Sequence, residues 1–272
     1  MKSAYTKLLL VGASVLLLYH PVLSYLVVNW WNDPNYSHGF IVPLVSLYVV
    51  WKRRDELSSL DPAPTSLGAV VLAGGVLMLA LGHVGAELFL MRLSLLVVIA
   101  GLILFLAGPV HLRMTAFAIG FLVLMIPLPM VVFNAVAFPL QMLAAKVATV
   151  VISALGIPVL REGNVIQLSH VTLEVAEACS GIRSLVTIIT IAVIYTYFTM
   201  DRRWKQFVLV AMSVPIAILV NSARVTGTAV LAQYFGARLF EDFYHAFEGW
   251  FMFLVSLALL LAVDAALRRV WR

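Results

Sequence analysis

The sequence predicts an all-α polytopic membrane protein with about eight transmembrane helices, and three observations predict it. Of the 272 residues, 63% are hydrophobic and only 11% are charged, with a mean hydropathy of +1.04. A soluble domain carries about 45–50% apolar and about 25% charged residues, so this chain lacks the polar groups to cover its surface in water. Uncharged stretches of about 20 residues, the length a helix needs to cross a bilayer core, recur along it. The basic residues fall in short clusters between those stretches, which is the usual topogenic pattern. A soluble enzyme, a disordered chain and a fibrous one are excluded.

The expected spans follow in order, at about 8–28, 37–51, 66–82, 92–108, 114–127, 180–199, 206–223 and 249–267. The first follows Lys2 and Lys7, and no small-x-small site follows it (the exit reads Tyr19-His20-Pro21-Val22), so it is read as an uncleaved helix. The second lies between Asp33 and Lys52, and the segment 52–66 (KRRDELSSLDPAPTS) is a short loop with Asp and Pro breakers. The third lies between Asp61 and Glu87, the fourth between Arg92 and Arg113. The stretch 114–145 exceeds one span and carries Pro127, Pro129 and Pro139, which disfavour a single helix. It divides into a span at 114–127 and a further helix at 131–155 that lies in the interface or enters the membrane partway. Segment 164–177 (NVIQLSHVTLEVAE) alternates in part and is rich in β-branched residues, which suggests a small two-strand element at the outer surface. The last three spans lie between Arg183 and Asp201, Lys205 and Arg224, and Glu248 and Asp264. With no internal repeat or low-complexity linker, residues 1–272 read as one integral membrane domain.

Charge sets the expected orientation. With eight spans, Lys2, Lys7, Lys52–Arg54, Arg113, Arg202–Lys205 and Arg268–Arg272 share one side, which holds 12 of the 18 basic residues and is therefore cytoplasmic. Both termini are then cytoplasmic. A ninth span at 131–155 would move Arg202, Arg203 and Lys205 outside. The net charge of +5 and pI near 9.5 are accounted for by this topogenic pattern, so nucleic acid is not expected as a partner. The lone cysteine, Cys179, allows no intrachain disulfide.

The polar residues with chemical potential cluster at the outer side. Glu177-Ala178-Cys179-Ser180-Gly181-Ile182-Arg183 opens the sixth span. Ser180 is a reasonable N-cap, and a thiol just before a helix N-terminus is driven toward the nucleophilic thiolate. The same cysteine also reads as a small packing residue. Asn221-Ser222-Ala223-Arg224 ends the seventh span; Arg224 either snorkels or holds negative charge developing on a carbonyl oxygen. Tyr244-His245-Ala246-Phe247-Glu248-Gly249-Trp250 enters the last span, and His245 is either an interfacial anchor or an acid/base group titrating near neutrality.

Rivals accompany each. Tyr36-Ser37-His38-Gly39 offers His38 as another base, or else a turn and helix start. Arg183 is four residues from Cys179, shares its helix face and competes with Arg224. His170 and Glu174 read as solvated, and His83 and His111 face opposite sides. The chain holds no H-E-x-x-H zinc motif and no G-x-S-x-G elbow, and Asp264 has no second aspartate for a dyad. Among familiar hydrolytic schemes, Cys–His–Arg remains.

These pieces together resemble the exosortase/archaeosortase family of multi-pass membrane transpeptidases. The resemblance rests on Tyr36-Ser37-His38-Gly39-Phe40 with Val42-Pro43 and Trp51-Lys52-Arg53-Arg54. It rests also on Glu177-Ala178-Cys179-Ser180-Gly181-Ile182-Arg183, Asn221-Ser222-Ala223-Arg224-Val225, and His245 ahead of Gly249-Trp250. It implies Cys179 as nucleophile, Arg224 as oxyanion or thiolate stabiliser and His245 as acid/base, with Glu177, Ser180, Gly181, Arg183, Asn221, Tyr36 and His38 in supporting or substrate-binding roles. His in the third position is similar to the bacterial branch, which implies the inner membrane. Its implied substrates are exported proteins ending in a motif, a helix and a basic tail, typified by the Pro-Glu-Pro class. They would be passed to a surface acceptor such as an exopolysaccharide-linked one, with membrane lipid around the site and no metal or cofactor. Since the chain stops at Arg272, no extra C-terminal periplasmic domain is expected. The alternative reading is a transporter or lipid-binding protein whose Arg183 and Arg224 hold an anionic head group.

Overall fold

The computed structural model describes the main chain of residues 2–175, 181–235 and 243–270, and the side chains of 10–175, 181–234 and 250–269. Among the described residues, seven helices are long and apolar enough to cross a membrane. The protein is an all-α polytopic membrane protein, as its composition predicts. Its contacts divide it into two compact units, Met1–Pro129 and Met130–Arg272.

The first unit opens with α1 (Lys2–Asn32), which carries Pro21 inside it. A 3-10 turn follows at Pro34–Phe40, started by Pro34 and by the Asp33 side chain, which accepts from the Asn35 N–H at 2.9 Å. Helix α2 begins only at Ile41 and ends at Lys52. At about 1.5 Å per residue it rises about 18 Å, short of a bilayer core of about 30 Å. The expected span at 37–51 is therefore a turn plus a short helix, because Pro34 and the Asp33 cap set an i→i+3 turn there first. After α3 (Arg54–Ser58) come α4 (Leu67–Val84) and α5 (Leu88–Leu106). Gly68, Gly75 and Gly82 form a stripe on α4, and a Cβ at any of them would overlap α5, at Phe105, Val98 and Met91 respectively. Small residues let the two backbones approach closely where lipid offers no hydrophobic drive. Helix α6 (Pro109–Phe121) continues into a 3-10 turn at Leu122–Met125 and is tied to α2 by Ser46 Oγ donating to the Ala118 carbonyl at 2.9 Å.

The second unit starts with α7 (Met130–Ala154). The break in the long apolar stretch falls at Pro127 and Pro129, whereas Pro139 sits inside the helix without ending it. At 25 residues α7 is long and apolar enough to cross, where the sequence suggested an interfacial or partial helix. Three antiparallel strands follow where two were expected, β1 (Val159–Glu162), β2 (Val165–Leu168) and β3 (Thr172–Glu174), in that order. Ile166 and Leu168 of β2 pack with Ala144, Ala148 and Ile152 of α7. Then come α8 (Ile182–Thr199), α9 (Arg203–Phe235) and α10 (Phe243–Val270). Val225 and Ala229 of α9 join the sheet's core. Leu185, Ile188 and Ala192 of α8, Leu209, Ile216 and Val220 of α9, and Leu260 of α10 form a second core, so these three helices are mutual neighbours.

Candidate active site

Two of the sequence blocks meet at the head of α8. Gly181 caps this helix with φ +80° and ψ 0°, a left-handed conformation that L side chains rarely adopt. Where its Cβ would stand, the Asn221 side chain of α9 already lies, with Asn221 Cγ 2.6 Å from that position. Glycine is required there twice over. Asn221 and Ser222 are 5% and 3% exposed, deep for polar residues of an apolar helix. Among the described residues, Ser222 Oγ has no hydrogen-bond partner. Beside them lies a small cavity, lined by Leu140 and Ala144 of α7, Gly181 and Leu185 of α8, and Ala217, Asn221 and Ser222 of α9. It has room for about one water molecule.

The N-x-x-R block, at the expected outer end of the span at 206–223, does not end its helix. Helix α9 runs through it to Phe235 and rises about 50 Å in all, well beyond a bilayer core. Arg224 stands about 32 Å of helical rise from Arg203, near the far membrane boundary if the helix enters at Arg203. Its side chain is half-buried, whereas Arg183, in the first turn of α8, is exposed. At the opposite ends of α8 and α10, the buried carboxylate of Asp264 accepts from Tyr195 Oη at 2.6 Å and from Arg268 Nε at 2.8 Å. The Asp264–Arg268 spacing was readable as an i,i+4 pair; the Tyr195 partner on another helix was not. From this rung the main chain rises about 21 Å to Gly181 and about 28 Å to His245, the third residue of α10. Cys179, Glu177 and Ser180 lie outside the described residues, as does the His245 side chain.

Tyr36 and His38 belong to the first unit, and there they are struts. His38 Nε2 lies 3.0 Å from the Leu124 carbonyl, which can only accept, so Nε2 carries the proton. Tyr36 Oη accepts from the Leu128 N–H at 3.2 Å, and Trp30 Nε1 donates to the Met125 carbonyl at 2.9 Å. Gly39 lies against the Trp30 indole. The turn starting the motif is thus pinned to residues 124–128. Burial holds the His38 imidazole below its ordinary value of 6.5, against the opposing pull of the Leu124 and Asn35 carbonyls. Among the described residues, no three His, Cys, Asp or Glu side chains gather into a group that could hold a metal ion.

A bundle of apolar helices with polar residues buried where the head of α8 packs against the middle of α9 defines a membrane-embedded protein with a candidate site at that junction. Residues 30–262 match the family model of the transmembrane exosortases (Exosortase_EpsH), and the chain belongs to that family. No curated protein and no solved structure matches it. Family membership supports a membrane transpeptidase and sorting role acting on exported proteins that carry sorting signals.

Proposed function

We propose that the protein is a cysteine transpeptidase that cuts the C-terminal sorting signal of exported proteins at the outer face of the bacterial inner membrane. The observation that carries this reading is the packing of Gly181 against Asn221. Cys179 stands two residues before Gly181, a length of chain that spans at most about 7 Å. Arg224 stands one helical turn beyond Asn221, in the outward direction of α9. The adjacency of α8, α9 and α10 supports a shared reaction centre with His245.

In the chemistry proposed, the Cys179 thiolate attacks the scissile carbonyl carbon, and the electron pair moves to its oxygen. The Arg224 guanidinium stabilises that oxyanion, and its planar fork suits the task better than a point charge. Collapse breaks the C–N bond as His245 gives a proton to the leaving amine. A thioester remains on Cys179, to be resolved by an acceptor amine or by water. The polar groups of Asn221 and Ser222 are tolerated at membrane depth because they face protein and a cavity.

The test is processing of an exported reporter ending in motif, helix and basic tail. Cys179→Ala abolishes processing while membrane insertion is retained, and Cys179→Ser is severely impaired. Thiol alkylation protects the reporter from cleavage in the parent but changes nothing in Cys179→Ala. Normal processing by Cys179→Ala would remove the cysteine mechanism. The proposed orientation has its own check: reporter fusions at residues 1–7 and 201–205 report the same, cytoplasmic, face.

A further inference from the structure

Arg92 is the most deeply buried charged residue among the described residues, 3% exposed, one turn inside α5. Its Nη2 donates to Asn29 Oδ1 of α1 at 3.1 Å, and its buried Nε has no hydrogen-bond partner. Asn29 is neutral, and among the described residues no carboxylate lies within 4 Å of the guanidinium. The two acidic residues at this end of the first unit each spend an oxygen on a cap, and Glu87 reaches the guanidinium only through its field. The Asp33 carboxylate caps the 3-10 turn at the Asn35 N–H, and that of Glu87 caps α5 at the Phe89 N–H. A positive charge this deeply buried, with one amide oxygen bonded to it and with Glu87 and Tyr36 acting on it only electrostatically, is costly unless an anion completes the site.

The surroundings point to the anion's source. Asn29 lies in the last turn of one membrane-crossing helix and Arg92 in the second turn of another, so the pair sits near headgroup depth. Trp31 beside it is 81% exposed and meets Phe40 edge-on, and Tyr25 one turn below is 60% exposed. Aromatic residues exposed at a span end form the girdle that marks the interface. Lipid phosphates occupy that depth continuously, and a guanidinium fork matches phosphate geometry.

We propose that Arg92 and Asn29 form a binding site for the phosphate of an anionic phospholipid headgroup. The site belongs to the first unit and stands whether or not Cys179 is the nucleophile.

The experiment melts the full-length, delipidated protein in detergent with added dioleoylphosphatidylglycerol, or with dioleoylglycerol, which has the same chains and no phosphate. The phosphatidylglycerol raises the midpoint of the parent and dioleoylglycerol does not. Arg92→Met melts no lower than the delipidated parent, because a buried charge that no bonded anion compensates has been removed, and gains nothing from phosphatidylglycerol. Arg92→Lys keeps part of the shift. Asn29→Ala needs roughly tenfold more phosphatidylglycerol for the same shift, and this keeps the test open if Arg92→Met does not fold. Equal shifts from both lipids, or a full shift retained in Arg92→Met and Asn29→Ala, overturn the proposal. So does a shift produced by a short acidic peptide and not by phosphatidylglycerol, which would make the ligand a polypeptide carboxylate.

Discussion

Residues 30–40 of the first unit and residues 181–224 of the second both carry dense polar motifs, and the two segments use them in opposite ways. Trp30, Tyr36 and His38 each commit a side-chain polar atom to the main chain of residues 124–128. Around Gly181, buried polar groups instead gather at a small cavity, and the Ser222 hydroxyl has no hydrogen-bond partner among the described residues. A polar atom already bonded to a carbonyl holds a shape; one left at a cavity is placed to meet something else. Motif residues of one family thus divide into braces and candidates for chemistry, and hydrogen-bond accounting tells them apart.

Substitutions can break this division. The largest contrast sets Cys179→Ala against Tyr36→Phe. The first leaves no detectable reporter processing; the second retains it and loses the bond to Leu128. Equal loss in both would erase the distinction. Next come the arginines. Arg224→Lys is expected to lose about 10²-fold in processing rate, the scale of removing an oxyanion donor. Arg183→Lys stays within a few-fold of the parent, and the reverse ranking would make Arg183 the partner of Cys179.

Gly181→Ala sharpens the comparison from the structural side. The left-handed φ alone costs about 1–2 kcal/mol, and the new Cβ meets the Asn221 side chain. Processing and denaturation midpoint both fall. Adding Asn221→Ala recovers the part of the midpoint due to the contact and not the part due to φ.

The smallest effect belongs to His38. His38→Gln costs about 1 kcal/mol, the scale of one hydrogen bond. Because burial lowers the folded imidazole's proton affinity, the unfolded chain binds the proton first as pH falls. The parent therefore loses stability as pH drops below 6.5, and His38→Gln flattens that dependence in melts taken across the range.

The elements themselves were legible to different degrees. Hydropathy located every long apolar helix, yet it misjudged ends wherever capping or packing decided them. The second span shrank to Ile41–Lys52 because Asp33 and Pro34 nucleate a 3-10 turn. Helix α9 continues past the expected span end at 223, with Arg224 half-buried within the continuous helix. Alternation in 164–177 signalled strands, but β1 lies before that window, paired to β2 across a turn at Gly163. In the candidate site, the blocks around Gly181 and Asn221 were recognisable as motifs. The role of Tyr36 and His38 was not, because their partners are main-chain carbonyl and amide groups, which leave no mark in the side-chain sequence.

Composition and the spacing of charges determined that this chain is helical and lives in a membrane, and the order of its motifs pointed to the exosortases. Those are sums over neighbouring residues, and such sums survive without knowledge of packing. Only the tertiary structure decided that Asn221 fills the space a side chain at position 181 would need, that Asp264 binds Tyr195, and that Arg92 bonds the Asn29 amide. Each depends on which residues, distant in the chain, are pressed together when helices exclude lipid, and no local pattern encodes that.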